Sequence, residues 1–303
     1  MEQPVAKTKN IWIGLFAWLA TAAIVTTWQL ATRWGVTTTL TPIDLALFRY
    51  GIPGLILVPL LWTRGTYARG QPRWITALIV FGGGLPFGLF GMVGAQFAPA
   101  AHMGALLPGS MPLFVSITAA IMLGERYDQR KMVGLGLIVI AAFLITSGSF
   151  LTDYGGTTLL GDLLFLAAGV SWAVYTVAFR RSGLDAWHGA AIICGWSTIV
   201  VLPMWVLSAE SGLATAPVQD IIVQVAVQGF LAGLFGMFIF GVAVAHLGPT
   251  ATALSGAIVP AATALGGWLL LDETLTGLIV VGIAVMILGL AAFSTGKVFT
   301  PQT

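Results

Sequence analysis

The sequence predicts an all-α polytopic membrane protein of ten spanning helices, arranged as two inverted five-helix repeats. Three observations predict it. Charge is scarce: of 303 residues, 13 are Lys or Arg and 11 are Asp or Glu, 8% of the chain, against roughly 25% in soluble domains. The loop cations fall almost wholly on one side of an alternating helix pattern. A Pro–Glu–Gly spacing in the first half returns in the second.

Apolar residues make up 58% of the chain and the mean hydropathy is +0.96. A soluble globule of this size could not hide that much apolar surface. Soluble enzyme, nucleic-acid binder and disordered scaffold are excluded, and a net charge of +2 gives nucleic acid no footprint. The lipid bilayer and a small-molecule substrate are the expected partners of a chain expected to act as a monomer. The one cysteine, Cys194, cannot form an intramolecular disulfide. No zinc or iron–sulfur ligand set is present, so no cofactor is expected. No Walker motif appears. Gly195-Trp196-Ser197-Thr198-Ile199 begins a G-x-S-x-G nucleophile elbow and fails at its last position. The chain is not expected to be an enzyme.

A spanning helix needs about 20 mostly apolar residues. Charges and turn residues cut the chain into helices near 11–31, 43–62, 74–97, 101–123, 131–148, 159–180, 187–208, 222–246, 249–271 and 275–294. Lys7 and Lys9 before the first run resemble a signal peptide. The run is longer than a signal's apolar region and many similar runs follow, so it reads as a retained helix. Two joins are tight, at Phe97-Ala98-Pro99 and Leu247-Gly248-Pro249. Lipid excludes open sheets, and a β-barrel would show short alternating segments.

Alternating the loops places Lys7, Lys9, Arg64, Arg69, Arg73, Arg126, Arg130, Lys131, Arg180, Arg181 and Lys297 on one side and Arg33 alone on the other. Positive residues concentrate in cytoplasmic loops. Both termini are therefore expected in the cytoplasm of a bacterial-type inner membrane.

Pro112 precedes Glu125 by 13 residues and Gly134 follows nine later; Pro260 precedes Glu273 by 13 and Gly282 follows nine later. FGMVGAQFAP (90–99) matches FGVAVAHLGP (240–249), and Gly14 and Arg33 of the first helix match Gly161 and Arg180 of the sixth. The expected units are 1–150 and 151–303. Five helices each makes the second unit enter the membrane from the opposite side, the architecture of many secondary transporters.

Leu47-Phe48-Arg49-Tyr50, Pro112-Leu113-Phe114 and Leu123-Gly124-Glu125-Arg126, within ten helices and two repeats, resemble the EamA branch of the drug/metabolite transporter superfamily. The resemblance covers nearly the whole chain, although the second Gly-Glu-Arg is degraded to Asp272-Glu273-Thr274. It implies export of amino acids or similar small, neutral or zwitterionic apolar metabolites by alternating access, with aromatic amino acids foremost. A carrier for another metabolite or drug, and a channel or structural membrane subunit, remain alternatives.

Transporter sites lie where helices break near mid-membrane. The breakers are Gly82-Gly83-Gly84-Leu85-Pro86 in the third helix, Pro108-Gly109-Ser110-Met111-Pro112 in the fourth, Gly229, Gly233 and Gly236 in the eighth, and Pro260 in the ninth. The isolated glycines suit close packing or a hinge, and the paired prolines suit a cavity. The expected pathway comprises Trp18, Thr21, Pro86, Phe87, Gly109, Ser110, Met111, Pro112, Ser171, Trp172, Tyr175, Gly236 and Pro260, with hinges at Gly83, Gly84 and Gly233.

Thr21, Val25 and Trp28 continue the helical spacing from Trp18, yet Trp12, Trp28, Trp34, Trp74 and Trp187 are assigned to interfacial belts. His102 and His246 are expected as interfacial hydrogen-bonding groups. Arg49 is expected to snorkel or to bond helix carbonyls, with carboxylate binding as the alternative. No carboxylate falls near a mid-membrane position. Glu125 with Arg180, and Glu273 with Arg33, are expected either to gate opposite ends or to form solvated loop pairs.

Overall fold

Asn10 starts the first helix by accepting from the backbone N–H groups of Trp12 and Ile13, a side-chain N-cap. The computed structural model describes residues 10–151, 155–208, 211–247 and 257–299. Helix α1 is Ile11–Thr38. Then come α2 (Pro42–Ala46), a π-helical stretch Leu47–Gly51, and α3 (Ile52–Ile56), which bends by 52° at Leu57 into α4 (Val58–Arg64). Helix α5 (Arg73–Gly83) breaks at Gly84 before α6 (Leu85–Phe97).

Helix α7 (Ala100–Leu123) leads through strand β1 (Arg126–Tyr127) to α8 (Gln129–Leu151), α9 (Gly155–Ser182) and α10 (Ala186–Leu207). Helix α11 (Val218–Gln224) continues through π-helical Val225–Phe235 into α12 (Gly236–Leu247). The described chain ends with α13 (Val259–Leu270), α14 (Gly277–Thr295) and strand β2 (Val298–Phe299), which pairs antiparallel with β1.

Eight helices among the described residues are long and apolar enough to cross a membrane, and nine if the bent pair at Leu57 counts as one span. The expected helix at 249–271 begins on residues outside the described set; its described part, α13, has 12 residues. Several expected breaks are differently built. Helix α7 runs unbroken across Pro108 and Pro112. Tertiary packing holds it: a Cβ on Gly104 would meet Thr263 Cβ at 2.6 Å, and one on Gly109 would meet Met286 Sδ at 2.8 Å. Pro260 sits in the first turn of α13, where its missing N–H removes no helical bond. Gly229 and Gly233 lie within the π-helical stretch and Gly236 begins α12.

Helix α9 packs on α5, α6 and α7, while α1 packs on α12 and α13. Helix α8 pairs with α14, and α10 covers the first π-helical stretch. Glycines permit these approaches. A Cβ on Gly161 would stand 2.5 Å from Ala98 Cβ; on Gly14, 2.7 Å from Leu247 Cδ2; on Gly282, 2.6 Å from Ile145 Cγ1. Close backbone approach through small residues is how helices gain contact in lipid.

The helix directions follow from the same contacts. Arg33, near the end of α1, reaches the carbonyls of Ala95 and Gln96 at the end of α6. Gly161, near the start of α9, lies against Gly94 and Ala98 at that same end. Helices α1 and α9 are therefore antiparallel, and the bundle has an Arg33 end and an Arg180 end.

Replacing Gly161 by Leu should overpack the α6–α9 contact and cost about 1–3 kcal/mol. The melting temperature in detergent should fall, while Gly136→Ala, with nothing within 4 Å of its added Cβ, should leave it within error of the parent.

Candidate substrate site

The break at Gly84 frees backbone groups that lipid could not satisfy. Each has a partner. Tyr50 Oη donates to the Gly84 carbonyl at 2.6 Å, the Gly84 N–H donates to Val80 O at 2.9 Å, and the Leu85 N–H donates to Ser197 Oγ at 3.0 Å. The expected hinge at Gly83 and Gly84 is thus a break fixed by α10 and the first π-helical stretch.

The two π-helical stretches face each other. A Cβ on Gly229 would meet Ile52 Cδ1 at 2.6 Å, and one on Gly233 would meet Pro53 Cγ at 2.8 Å and the Arg49 carbonyl at 3.3 Å. Such segments recur at functional sites, because the extra residue per turn reorients a side chain. Arg49 sits on the first of them. Its guanidinium carbon lies 4.6 Å from the Trp28 ring centroid, and its Nε and Nη1 are buried without a hydrogen-bond partner. Arg49 neither snorkels nor pairs those two nitrogens with helix carbonyls, as the sequence suggested it would.

Trp28 is also corrected. It is 5% exposed, not part of an interfacial belt. Its Nε1 donates to Gln228 Oε1 at 2.9 Å. Gln228 Nε2 donates to Thr32 Oγ1 at 3.0 Å and to Gln224 Oε1 at 3.2 Å, and Gln224 Nε2 donates to Ala31 O at 2.6 Å. Both glutamines are fully buried. Trp12, Trp74 and Trp187 are exposed.

From Trp28 an aromatic chain crosses the bundle. Trp28 stacks on Phe87 at 6.3 Å, Phe87 meets Trp172 at 5.0 Å, Trp172 meets Tyr175 at 4.9 Å, and Tyr175 meets Phe179 at 5.5 Å. These spacings suit attractive tilted or offset ring pairs. The chain begins beside Arg49 and ends one residue before Arg180.

The structure thus brings together Phe87, Trp172 and Tyr175 of the expected pathway, with Gly83 against the Tyr175 ring. Thr21 and Ser171 spend their hydroxyls on the carbonyls of Ala17 and Ala167. Ser110 is fully buried at Gly169, and Met111 is packed against the main core. Pro86, Pro112, Gly236 and Pro260, which carry no aromatic ring, take no part in the ring chain. Arg49, Trp28, Gln224 and Gln228 are the additions. Their signals were present: Trp28 continues the Thr21–Val25 face, and Gln224 and Gln228 are an i,i+4 amide pair in an apolar helix.

Both ion pairs are formed. Arg33 Nε meets Glu273 Oε1 at 2.8 Å, with side chains 18% and 10% exposed. Glu273 Oε2 also accepts from the Ala100 N–H at 2.8 Å, which caps α7. Arg180 Nη2 meets Glu125 Oε1 at 2.8 Å, with side chains 52% and 6% exposed. Tyr127 Oη donates toward Glu125 Oε2 at 3.0 Å. Burial, together with the adjacent Glu125, pushes the Tyr127 phenol up to about 12, so it stays a donor.

Both histidines make hydrogen bonds: His102 is 2% exposed and pairs with buried Asp162, and His246 Nδ1 accepts from the Asn10 N–H at 3.3 Å. Among the described residues no cluster of His, Cys, Asp and Glu could hold a metal.

The profile of the EamA-like transporter family matches the chain twice, at residues 12–147 and 159–295. An uncharacterized transporter of Bacillus subtilis (strain 168), YyaM, is 25% identical over 233 residues, covering 73% of this chain and 74% of that protein. A protein of Escherichia coli (strain K12) described as a probable amino-acid metabolite efflux pump is 23% identical over 204 residues, covering 64% and 68%. A solved structure described only as a crystal structure of protein superposes with a TM-score of 0.60 over 93% of this chain and 96% of that one. At 21% identity it shows a shared fold.

Gln228→Leu should strand Trp28 Nε1 in the core and cost about 1–3 kcal/mol. Thermal unfolding in detergent reads this as a lowered melting temperature; an unchanged value would contradict the buried network.

Proposed function

The chain belongs to the EamA-like transporter family, and from that membership we propose a secondary active transporter that exports amino acids or similar apolar, neutral or zwitterionic metabolites by alternating access. The observation that carries the substrate class is Arg49. Two buried guanidinium nitrogens without partners are costly unless a ligand supplies acceptors. A carboxylate is a charge-assisted acceptor that suits such nitrogens. The aromatic chain from Trp28 to Tyr175 then offers ring faces to an apolar side chain. The efflux relatives named for amino-acid metabolites support the same class.

Alternating access in this reading rests on two units, 1–150 and 151–303, as inverted repeats. Support comes from an ion pair that repeats after 147 and 148 residues, Arg33–Glu273 corresponding to Arg180–Glu125. The antiparallel course of α1 and α9 agrees. Arg33–Glu273 closes one end and Arg180–Glu125 the other, and in turn each opens. The protein works as a monomer in a bacterial-type inner membrane with both termini cytoplasmic.

Counterflow of tritiated L-phenylalanine in proteoliposomes tests the reading; no exchange with any amino acid of a panel would sink the substrate class. Arg49→Gln should raise the KM for L-phenylalanine at least tenfold, about 1.4 kcal/mol, and leave competition by phenethylamine, which lacks the carboxylate, unchanged. Glu125→Arg and Arg180→Glu should each slow counterflow, and the double reversal should restore much of it. A double variant as slow as the singles would remove the gate assignment.

A further inference from the structure

One titratable pair in the bundle is left over by the aromatic chain and by both gates. His102, in the first turn of α7, places Nδ1 2.7 Å from Asp162 Oδ1 on α9, and the side chains are 2% and 0% exposed. One turn before Asp162 on the same helix, Thr158 is 2% exposed and its hydroxyl is buried without a hydrogen-bond partner. Residues four apart share a helix face, so an orphan hydroxyl stands on the Arg33-end side of the acid. A fixed negative charge in such surroundings is expensive. Buried acid–histidine relays are what proton-driven carriers use.

The protonation chemistry is simple. A carboxylate has no hydrogen to give, so with Asp162 ionised the neutral imidazole donates from Nδ1. The pair then carries one net negative charge. A proton from water at the Arg33 end forms a new N–H bond at Nε2, and the donor hydronium returns to water. Imidazolium now faces carboxylate and the pair is neutral overall.

We propose that His102–Asp162 is a proton-binding site that couples transport to a pH gradient through the Arg33 end. The inference rests on the transporter reading above. The first turn of α7 is the link. Its Ala100 N–H is held by Glu273, which also holds Arg33, and two residues later His102 is held by Asp162. The negative pair draws water and favours an open Arg33 end, and the neutral pair permits closure.

Among the described residues the charged groups around the pair are few. Helix α1 offers Arg33, and the α13–α14 link offers Asp272 and Glu273. Helices α6, α13 and α14 offer none. The cations of α5, α8 and α9, namely Arg73, Arg130, Lys131, Arg180 and Arg181, lie at the Arg180 end. Asp153 lies outside the described residues.

Two measurements test the proposal on the full chain. Purified protein in detergent is titrated between about pH 5 and 9. Wild type should bind one more proton than His102→Gln, and Asp162→Asn should alter that uptake. Equal proton uptake by wild type and His102→Gln would overturn the site.

In proteoliposomes, a one-unit pH gradient should accumulate tritiated L-phenylalanine up to about tenfold for one coupled proton. The ratio of accumulation to counterflow rate should fall towards one-tenth in His102→Gln. A merely structural role would lower both together and keep the ratio, which would overturn the coupling, as would wild-type counterflow insensitive to the gradient. Lack of wild-type counterflow would count against the amino-acid reading, and the titration would then decide the proton site. Both variants are first checked by size-exclusion profile and melting temperature, and Asp162→Glu serves if either fails to fold.

Discussion

Every polar group inside hydrocarbon must find its partner within the protein, and this constraint organises the structure. It explains why a helix can break at Gly84: Tyr50 and Ser197 wait at the freed carbonyl and N–H. It explains why Gln224, Gln228, Thr32 and Trp28 bond one another between α1 and the second π-helical stretch. Against that background an unpaired polar atom is conspicuous. Arg49 breaks the rule at two nitrogens, beside the one aromatic file that crosses the described bundle. Thr26, Gln29 and Thr158 also hold one such buried atom each, and Arg49 differs from them in carrying a cation against an aromatic ring.

The fold class was legible because it depends on averages. Apolar run length and one-sided loop charge survive errors at single positions, and the helices recovered lie close to those expected. The Glu–Arg partners were legible for a related reason: duplication preserves spacing, so Glu125 and Glu273 could be matched to Arg180 and Arg33 before any contact was visible. What the spacing could not convey is which face of a helix turns inward. Trp28 lies ten residues from the end of α1, and a belt position seemed natural by depth alone. Rotation, set by packing against Phe87 and Gln228, turned it into the core.

The prolines illustrate a second limit. Pro108 and Pro112 each forfeit a helical hydrogen bond, yet α7 stays continuous because Thr263 and Met286 press into its glycines. The two π-helical stretches were invisible, since they carry no composition of their own. His102 was expected only as an interfacial hydrogen-bonding group, and its partner Asp162 was not foreseen. That they meet depends on α7 and α9 crossing closely, a tertiary fact with no local signature.

The two ion pairs have the same chemistry and different surroundings. Arg180 is half exposed, whereas Arg33 is largely covered and anchored to two carbonyls as well. Dissolved ions screen charges that water can reach and barely touch those it cannot. The ionic strength of the medium therefore acts on the two ends unequally. Concentrated salt weakens Arg180–Glu125 more than Arg33–Glu273, and the two ends of the bundle answer differently to the fluid that bathes them.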